Sequence, residues 1–332
     1  MTLRIQDNVN GAVLHMALEL SKSKWRVGFE YGRRRRRVLV DGGDVQGLYE
    51  AIERAKDKLG VVLDARVVSC YEAGRDGFWL HRLLESWGIE NRVVDPASIE
   101  VSRVARRAKT DRVDLEMLLD KLRLYLQGER VWKVVRVPSV QAEAARGLHR
   151  ERERLKKERA GLVNRIKGVL FAQGVRVERI VLEGWSVRVA GFQSACGQPL
   201  GADLQGELVR AGERLGLIEA QLKALEEEQE RRVREAGAEG PLAMVRQLRQ
   251  LKGIGPVAAW VFVMEIFGWR RFRNGKEVGA LAGLTGTPYD SGESRREQGI
   301  NKQGNRRIRA LAIEISWLWL RYQPDSALSR WF

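Results

Sequence analysis

Cysteine is almost missing from this chain: two residues, Cys70 and Cys196, in 332 positions, neither in a CxxC pair. That excludes a disulfide scaffold and a cysteine-based zinc site, and it fits a reducing cytoplasm. The three histidines are scattered and form no zinc constellation either. No long apolar span, signal-peptide core or lipidation motif is seen, which sets a membrane partner aside. Acidic residues are also in deficit, 43 against 59 Lys plus Arg, a net charge of +16. An excess of that size favours a polyanionic partner, and nucleic acid is the commonest one.

Against that basic background, one acidic pair stands out. In the string KTDRVD, Asp111 and Asp114 lie three residues apart where a helix should begin. On a helix both carboxylates share one face, about one turn apart. Two like charges so close repel, so a structural helix gains nothing from them. A divalent cation reverses the sign, because hard oxygen ligands bind Mg²⁺ or Mn²⁺. Lys109, with Arg103, Arg106 and Arg107, stands just upstream. Carboxylates for a metal beside cations for a phosphate suit phosphodiester chemistry.

The first part of the chain reads as α/β. Val13–Leu20, Lys24–Tyr31 and Arg36–Asp41 have the pattern of strands joined by short polar turns, an antiparallel meander. Asp44–Gly60 reads as a helix with an Asp cap and a Gly stop; Arg66–Glu72 as a buried strand; Asp76–Gly88 as a helix; Asn91–Asp95 as a strand stopped by Pro96. The helix with Asp111 and Asp114 follows. This order resembles a ribonuclease H-like fold. From Gln141 to Gly174 the text is helical and highly charged. Between Asp203 and Arg234, Leu204, Leu208, Leu215, Ile218, Leu222 and Leu225 form a heptad-like seam. That seam fits a hairpin within the chain or a coiled coil between chains. In the last ninety or so residues, two apolar helical stretches flank GIGP, as in a helix-hairpin-helix element. There Gly253 and Gly255 would allow a tight turn, and a helix N-terminus could hold a phosphate. A further helix, a Gly-rich polar loop and a final helix from near Gly304 complete the reading. The division expected is 1–130 (ribonuclease H-like), 131–240 (helical, coiled-coil) and 241–332 (C-terminal, mostly helical).

Two groups could carry chemistry. In a ribonuclease H-like sheet, the first strand and a later parallel strand end side by side. Glu19 ends the first strand and Glu72 ends Arg66–Glu72. With Asp111 and Asp114 they form a four-carboxylate set able to hold one or two metal ions. The second candidate is Ser291 in YDSGESRREQG, followed by Arg295, Arg296, Lys302, Arg306, Arg307 and Arg309. A serine hydroxyl needs activation to attack, and a phosphodiester under attack needs cations around it. No neighbouring His or Lys stands out as a base. Ser294 competes in the same loop, and an ordinary turn-capping serine is the plain alternative.

The order and spacing of KTDRVD and SG…NKQGNRRIR, together with ALELSKSKW, YEAGRDGFWLHRLLESWGI and LKGIGPVAA, resemble the insertion-sequence-110 family of DEDD transposases over nearly the whole chain. The resemblance implies a RuvC-like N-terminal domain, a coiled-coil linker and a C-terminal transposase domain. It places the acidic tetrad on Glu19, Glu72, Asp111 and Asp114, and the nucleophilic serine on Ser291. It implies nucleic-acid contacts from Lys109, Arg295, Arg296, Lys302, Asn305, Arg306, Arg307 and the Gly253–Gly255 turn. It also implies Mg²⁺ (or Mn²⁺) as cofactor, and donor and target DNA as substrates. A noncoding guide RNA would pair with both DNAs, and dimers would pair into a tetramer in which one chain's serine works with another chain's carboxylates. The setting implied is a prokaryotic cytoplasm, at the nucleoid. The common first residue of the tetrad is Asp, where this chain has Glu19, one methylene longer. Two other functions remain open: a RuvC-like nuclease on branched DNA, and a domesticated nucleic-acid-binding protein without catalysis.

The five arginines Arg33–Arg37 read either as a solvated strand edge that blocks edge pairing or as an RNA-backbone contact. Trp317 and Trp319 read as core or interface residues ahead of base-stacking ones.

Overall fold

The computed structural model describes residues 13–62, 65–99, 111–291 and 294–332. For Asp111, Ser291 and Arg295 the backbone alone is described, and Lys109 lies outside the described residues. Two compact units are distinguished, Met1–Val137 and Pro138–Phe332.

In the first unit, strands β1 (Val13–Leu20), β2 (Lys24–Tyr31) and β3 (Arg34–Asp41) form the expected meander. Helix α1 (Val45–Leu59) follows, its N-terminus capped by Asp44, whose carboxylate accepts from the Gly47 N–H, and its end set by left-handed Gly60. Then come β4 (Arg66–Glu72), α2 (Trp79–Ser86), β5 (Glu90–Val94) and α3 (Asp111–Leu126). The sheet order is β3-β2-β1-β4-β5, with β4 parallel to both β1 and β5. This mixed five-stranded sheet is ribonuclease H-like. Strand alternation sorts its two faces. Leu14, Met16 and Leu18 of β1 join the α1 and α2 side chains Leu48, Ile52, Leu80 and Leu84 in one core. Ala17, Val68 and Cys70 join Leu115, Leu118, Leu119 and Leu122 of α3 in the other.

The second unit is built on a helical arm. Helix α4 (Val140–Ala144) is followed by α5 (Gly147–Ala172), the short α6 (Trp185–Ala190) and α7 (Ala202–Glu235). Helices α5 and α7 run antiparallel, joined by Arg152–Glu226, Arg159–Glu219 and Arg165–Glu207. As the α5 number rises the α7 number falls, so the two helices form a hairpin, and Leu204, Leu208 and Leu215 of the seam pack within it. Its far end is filled by Ile166, Leu170, Trp185, Val189, Leu208 and Leu215.

Beyond the arm lie α8 (Pro241–Leu248), α9 (Pro256–Phe262) and α10 (Gly275–Ala282). Helix α9 continues directly into a π-helical turn, Val263–Phe267. Strands β6 (Gly286–Ser291) and β7 (Ser294–Ile300) then pair antiparallel, and α11 (Arg306–Tyr322) and α12 (Ala327–Trp331) end the chain. The expected Gly-rich loop is therefore corrected to a β-hairpin. Its described residues are mostly exposed and polar, so it has no apolar alternation to announce it.

Candidate functional site: a carboxylate cluster and a serine hairpin

Position along β1 decides what α3 can bring to the sheet. Arg123 meets Glu30, which pairs with His15 of β1. Asp120 meets Arg35, opposite the same Glu30. Glu116 meets Arg37, which lies opposite Gly28, itself the neighbour of Ala17. Stepping back along α3 thus advances along β1 toward its C-terminal end. One further turn back reaches the Glu19–Arg26 row, and there the described helix begins, at Asp111.

Gly28 permits this close approach. A Cβ on it would lie 3.0 Å from Leu119 and 3.1 Å from Leu115. The Cys70 thiol reaches the Leu118 carbonyl at 3.8 Å, and burial pushes that thiol well above its ordinary range, so it is inert as a nucleophile at neutral pH.

Glu19 and Glu72 follow directly on the Leu18–Tyr71 register pair of the parallel strands β1 and β4. Each lies two residues beyond a side chain packed under α3, Ala17 and Cys70, so alternation puts both on the α3 face. Glu19 is half-buried and Glu72 exposed. Asp114 is half-buried in the first turn of α3. Backbone order thus brings the positions of Glu19, Glu72, Asp111 and Asp114 to one end of one sheet face. Among the described residues, which do not include the Asp111 side chain, no three acidic, His or Cys side chains are already gathered tightly enough to grip an ion. The donor chemistry, hard carboxylate oxygens alone, fits Mg²⁺ or Mn²⁺ rather than zinc.

Within β3 the arginine run divides by the same alternation, Arg35 and Arg37 on the α3 face and Arg34 and Arg36 on the other, while Arg33 lies in the turn before the strand. Arg35 and Arg37 turn toward α3 and pair with Glu30, Asp120 and Glu116. Arg33 and Arg34 are exposed. The arginine run therefore mixes cations paired with α3 carboxylates and two, Arg33 and Arg34, that have no carboxylate partner among the described residues.

In the second unit, Ser291 is the last residue of β6 and pairs with Ser294 across the hairpin turn. Asp290 lies opposite Arg295, and Tyr289 opposite the exposed Arg296. The chain returns to α11 through a tightly fixed NKQGN segment. Lys302 holds the left-handed conformation at φ 58°, unusual for a side chain with a Cβ. A Cβ on Gly304 would fall 2.3 Å from the Leu281 carbonyl, so only glycine fits. Arg309 donates to the carbonyls of Ala282 and Lys302 at 3.0 and 2.8 Å, which makes it a fastener of this segment. Asn305 caps α11, its Oδ1 accepting from the Arg307 and Ile308 N–H groups at 3.0 and 3.3 Å. Arg307 pairs with Glu153 of α5, whereas Lys302 and Arg306 are exposed. At the GIGP turn, Gly253 has φ 95° and Gly255 caps α9. The Gln323 side chain donates to the Lys252 carbonyl at 2.8 Å, so the end of α11 braces one side of this turn while Gly255 stays exposed.

One polar centre is absent from the sequence reading. Glu265, in the π-helical turn, is 2 % exposed. It accepts from His149 at 2.8 Å, from Arg150 at 2.9 and 3.0 Å, and from the Asn305 amide at 3.5 Å. Burial pushes its carboxyl up, but the His149 and Arg150 hydrogen bonds outweigh that and hold it well below the usual carboxylate range. The signal was a lone acid inside the apolar run AAWVFVMEIF, since a buried charge must have partners. Trp317, expected in a core or an interface, is 65 % exposed in this chain.

Comparison with known proteins agrees with this architecture. The family described as "Transposase IS116/IS110/IS902 family" matches residues 245–329. A second family model, the DEDD transposase of IS110 type, matches residues 35–172. The y4rJ protein of Sinorhizobium fredii, named as a transposase, is 40% identical over 97% of this chain and 84% of its own length. The protein named "Transposase for insertion sequence element IS1328" of Yersinia enterocolitica is 26% identical over 57% of this chain and 54% of its own. The two family matches cover separate parts of the chain and the relative spans both, so the chain belongs to the IS110 family of insertion-sequence transposases.

Proposed function

We propose that this transposase cuts and rejoins DNA through a phosphoserine intermediate formed by Ser291. The placement of Ser291 carries the reading: it ends a strand at the turn of an exposed hairpin, with Arg295 and Arg296 on the opposite strand. The Ser291 Oγ attacks the scissile phosphorus. A P–O(serine) bond forms, the P–O bond to the leaving DNA oxygen breaks, and that oxygen takes a proton. A hydroxyl of the second DNA then attacks the phosphoserine, and the serine is released. Arg296, Lys302 and Arg306 neutralise the phosphate backbone.

Glu19, Glu72, Asp111 and Asp114 would hold the Mg²⁺ or Mn²⁺, which stabilises charge on the phosphate oxygens when bound. The Gly253–Gly255 turn would contact backbone phosphate in the manner of a helix-hairpin-helix. Exposed Arg33 and Arg34 would contact a noncoding guide RNA, with sequence choice delegated to base pairing. Dimers pairing into a tetramer would let the serine of one chain serve the carboxylates of another.

Trapping tests the reading. A nicked DNA substrate that loses its leaving strand should leave a covalent adduct on wild type, mapped by mass spectrometry to Ser291. S291A should give none. An S291A protein that still cleaves without an adduct would make the chain a RuvC-like nuclease using water.

A further inference from the structure

We propose that Glu265 is a positioning residue for strand exchange, setting the N-terminus of α11 and the segment that leads to it from the serine hairpin. The proposal rests on the serine reading above only for its activity readout.

The π-helical turn lies between two apolar clusters. Val263 and Met264 pack on one side with Val233, Val245 and Trp260; Ile266 packs on the other with Val261, Ala282 and Ile308. A π turn adds a residue to the helix and is found at functional sites. The buried carboxylate between these clusters has three partners from two other helices. Arg150 binds both oxygens, at 2.9 and 3.0 Å. A carboxylate can only accept, so His149 presents its Nε2–H to it, at 2.8 Å. Asn305 turns its Nδ2 to the same carboxylate.

That last contact fixes which way the Asn305 amide faces. With the NH₂ on Glu265, the Oδ1 is left for the Arg307 and Ile308 N–H groups. The backbone N–H of Asn305 meanwhile binds the Leu281 carbonyl at 2.7 Å. One residue therefore links the cap of α11, the end of α10 and the buried carboxylate. Exposed Arg306 and Lys302 flank it, the latter in its left-handed conformation. An anionic Glu265 thus sets the angle at which these cations, and through the NKQGN segment the base of the Ser291 hairpin, meet DNA. Arg307, anchored on Glu153, closes a second tie between α11 and α5.

The experiment compares wild type, E265Q, N305S and the E265Q/N305S double variant with guide RNA and DNA. N305S keeps a capping hydroxyl but cannot reach Glu265, and R150Q, on the solvent side of the cluster, serves if E265Q does not fold. Two quantities are read: hydrogen exchange of the 306–308 amides, and single-turnover cleavage against DNA affinity. Positioning predicts exchange at least about tenfold faster, cleavage at least about tenfold slower, affinity changed less than about threefold, and a double variant no worse than the poorer single one. Wild-type exchange and cleavage in a folded E265Q or R150Q would overturn the proposal. So would effects of E265Q and N305S that multiply, because Asn305 would then act on DNA by itself. If S291A proves fully active, the serine reading fails, while the exchange measurement still judges Glu265.

Discussion

Gly28 of β2 lies beneath Leu115 of α3, and a Cβ added there would come within 3.1 Å of the leucine. The first turn of that helix carries Asp111 and Asp114. A strand glycine is normally a weakness, and here it sets how near the start of α3 comes to the sheet. Gly28→Val should destabilise the first unit by about 1–3 kcal/mol, the usual cost of overpacking. It should also reduce cleavage beyond what the lost stability explains. Thermal unfolding and cleavage measured on the same preparation check this.

The carboxylate set should be separable by residue. Asp114→Asn and Glu72→Gln should each slow cleavage on the order of 10²–10³-fold, the scale of losing one transition-state electrostatic contact. Chelation of divalent cations should abolish cleavage, and Mg²⁺ or Mn²⁺ should restore it. Glu19→Asp, one methylene shorter, should remain active. Full cleavage by Asp114→Asn in chelator would refute the assignment.

The arginine edge should divide in two. Arg33→Gln and Arg34→Gln should weaken RNA binding and lower its salt slope by about 0.7–0.9 per lost phosphate contact. Arg35→Gln and Arg37→Gln remove partners of Glu30, Asp120 and Glu116 instead. Those contacts are partly exposed, so about 0–1 kcal/mol of stability each is expected, with little change in salt slope. Filter binding at several salt concentrations separates the pairs.

His15 gives a pH dependence. Burial lowers its pKa, outweighing the opposite pull of Glu30, and its Nδ1 is buried without a hydrogen-bond partner among the described residues. The unfolded chain therefore takes up a proton near pH 6.5 that the folded one refuses. Stability should be flat above that pH and fall below it, by up to about 1.4 kcal/mol per unit for one proton. His15→Gln should flatten this stretch of a urea-unfolding series.

Gly212 is fixed by its neighbour. The Trp185 indole occupies its surface: a Cβ would sit 2.0 Å from the ring, whose N–H donates to the Leu208 carbonyl at 2.7 Å. Ala would gain about 1 kcal/mol in helix propensity. Displacing the buried indole costs more, about 1–3 kcal/mol plus the lost hydrogen bond. Gly212→Ala should lower the melting temperature despite its better propensity.

Sequence alone determined the elements that advertise themselves by local chemistry. A short apolar run gave β1 and alternation gave β2, the Asp44 cap and Gly60 stop bounded α1, the highly charged helical text announced α5, and the apolar seam announced α7. It also singled out Asp111 and Asp114 by their spacing beside a basic stretch, whereas Ser291 stood out from an ordinary loop serine only through the family resemblance. Tertiary structure decided what depends on contacts across long stretches of chain. The β6–β7 hairpin has too few apolar residues to show a period, so only its pairing reveals it. Arg35 and Arg34 are identical in sequence context, and only the α3 carboxylates over one sheet face separate them. Glu265 reads as a flaw in an apolar helix until His149 and Arg150, more than a hundred residues earlier, are folded onto it. A buried charge is tolerable only when such partners arrive together, and that is a property of the fold, not of any segment.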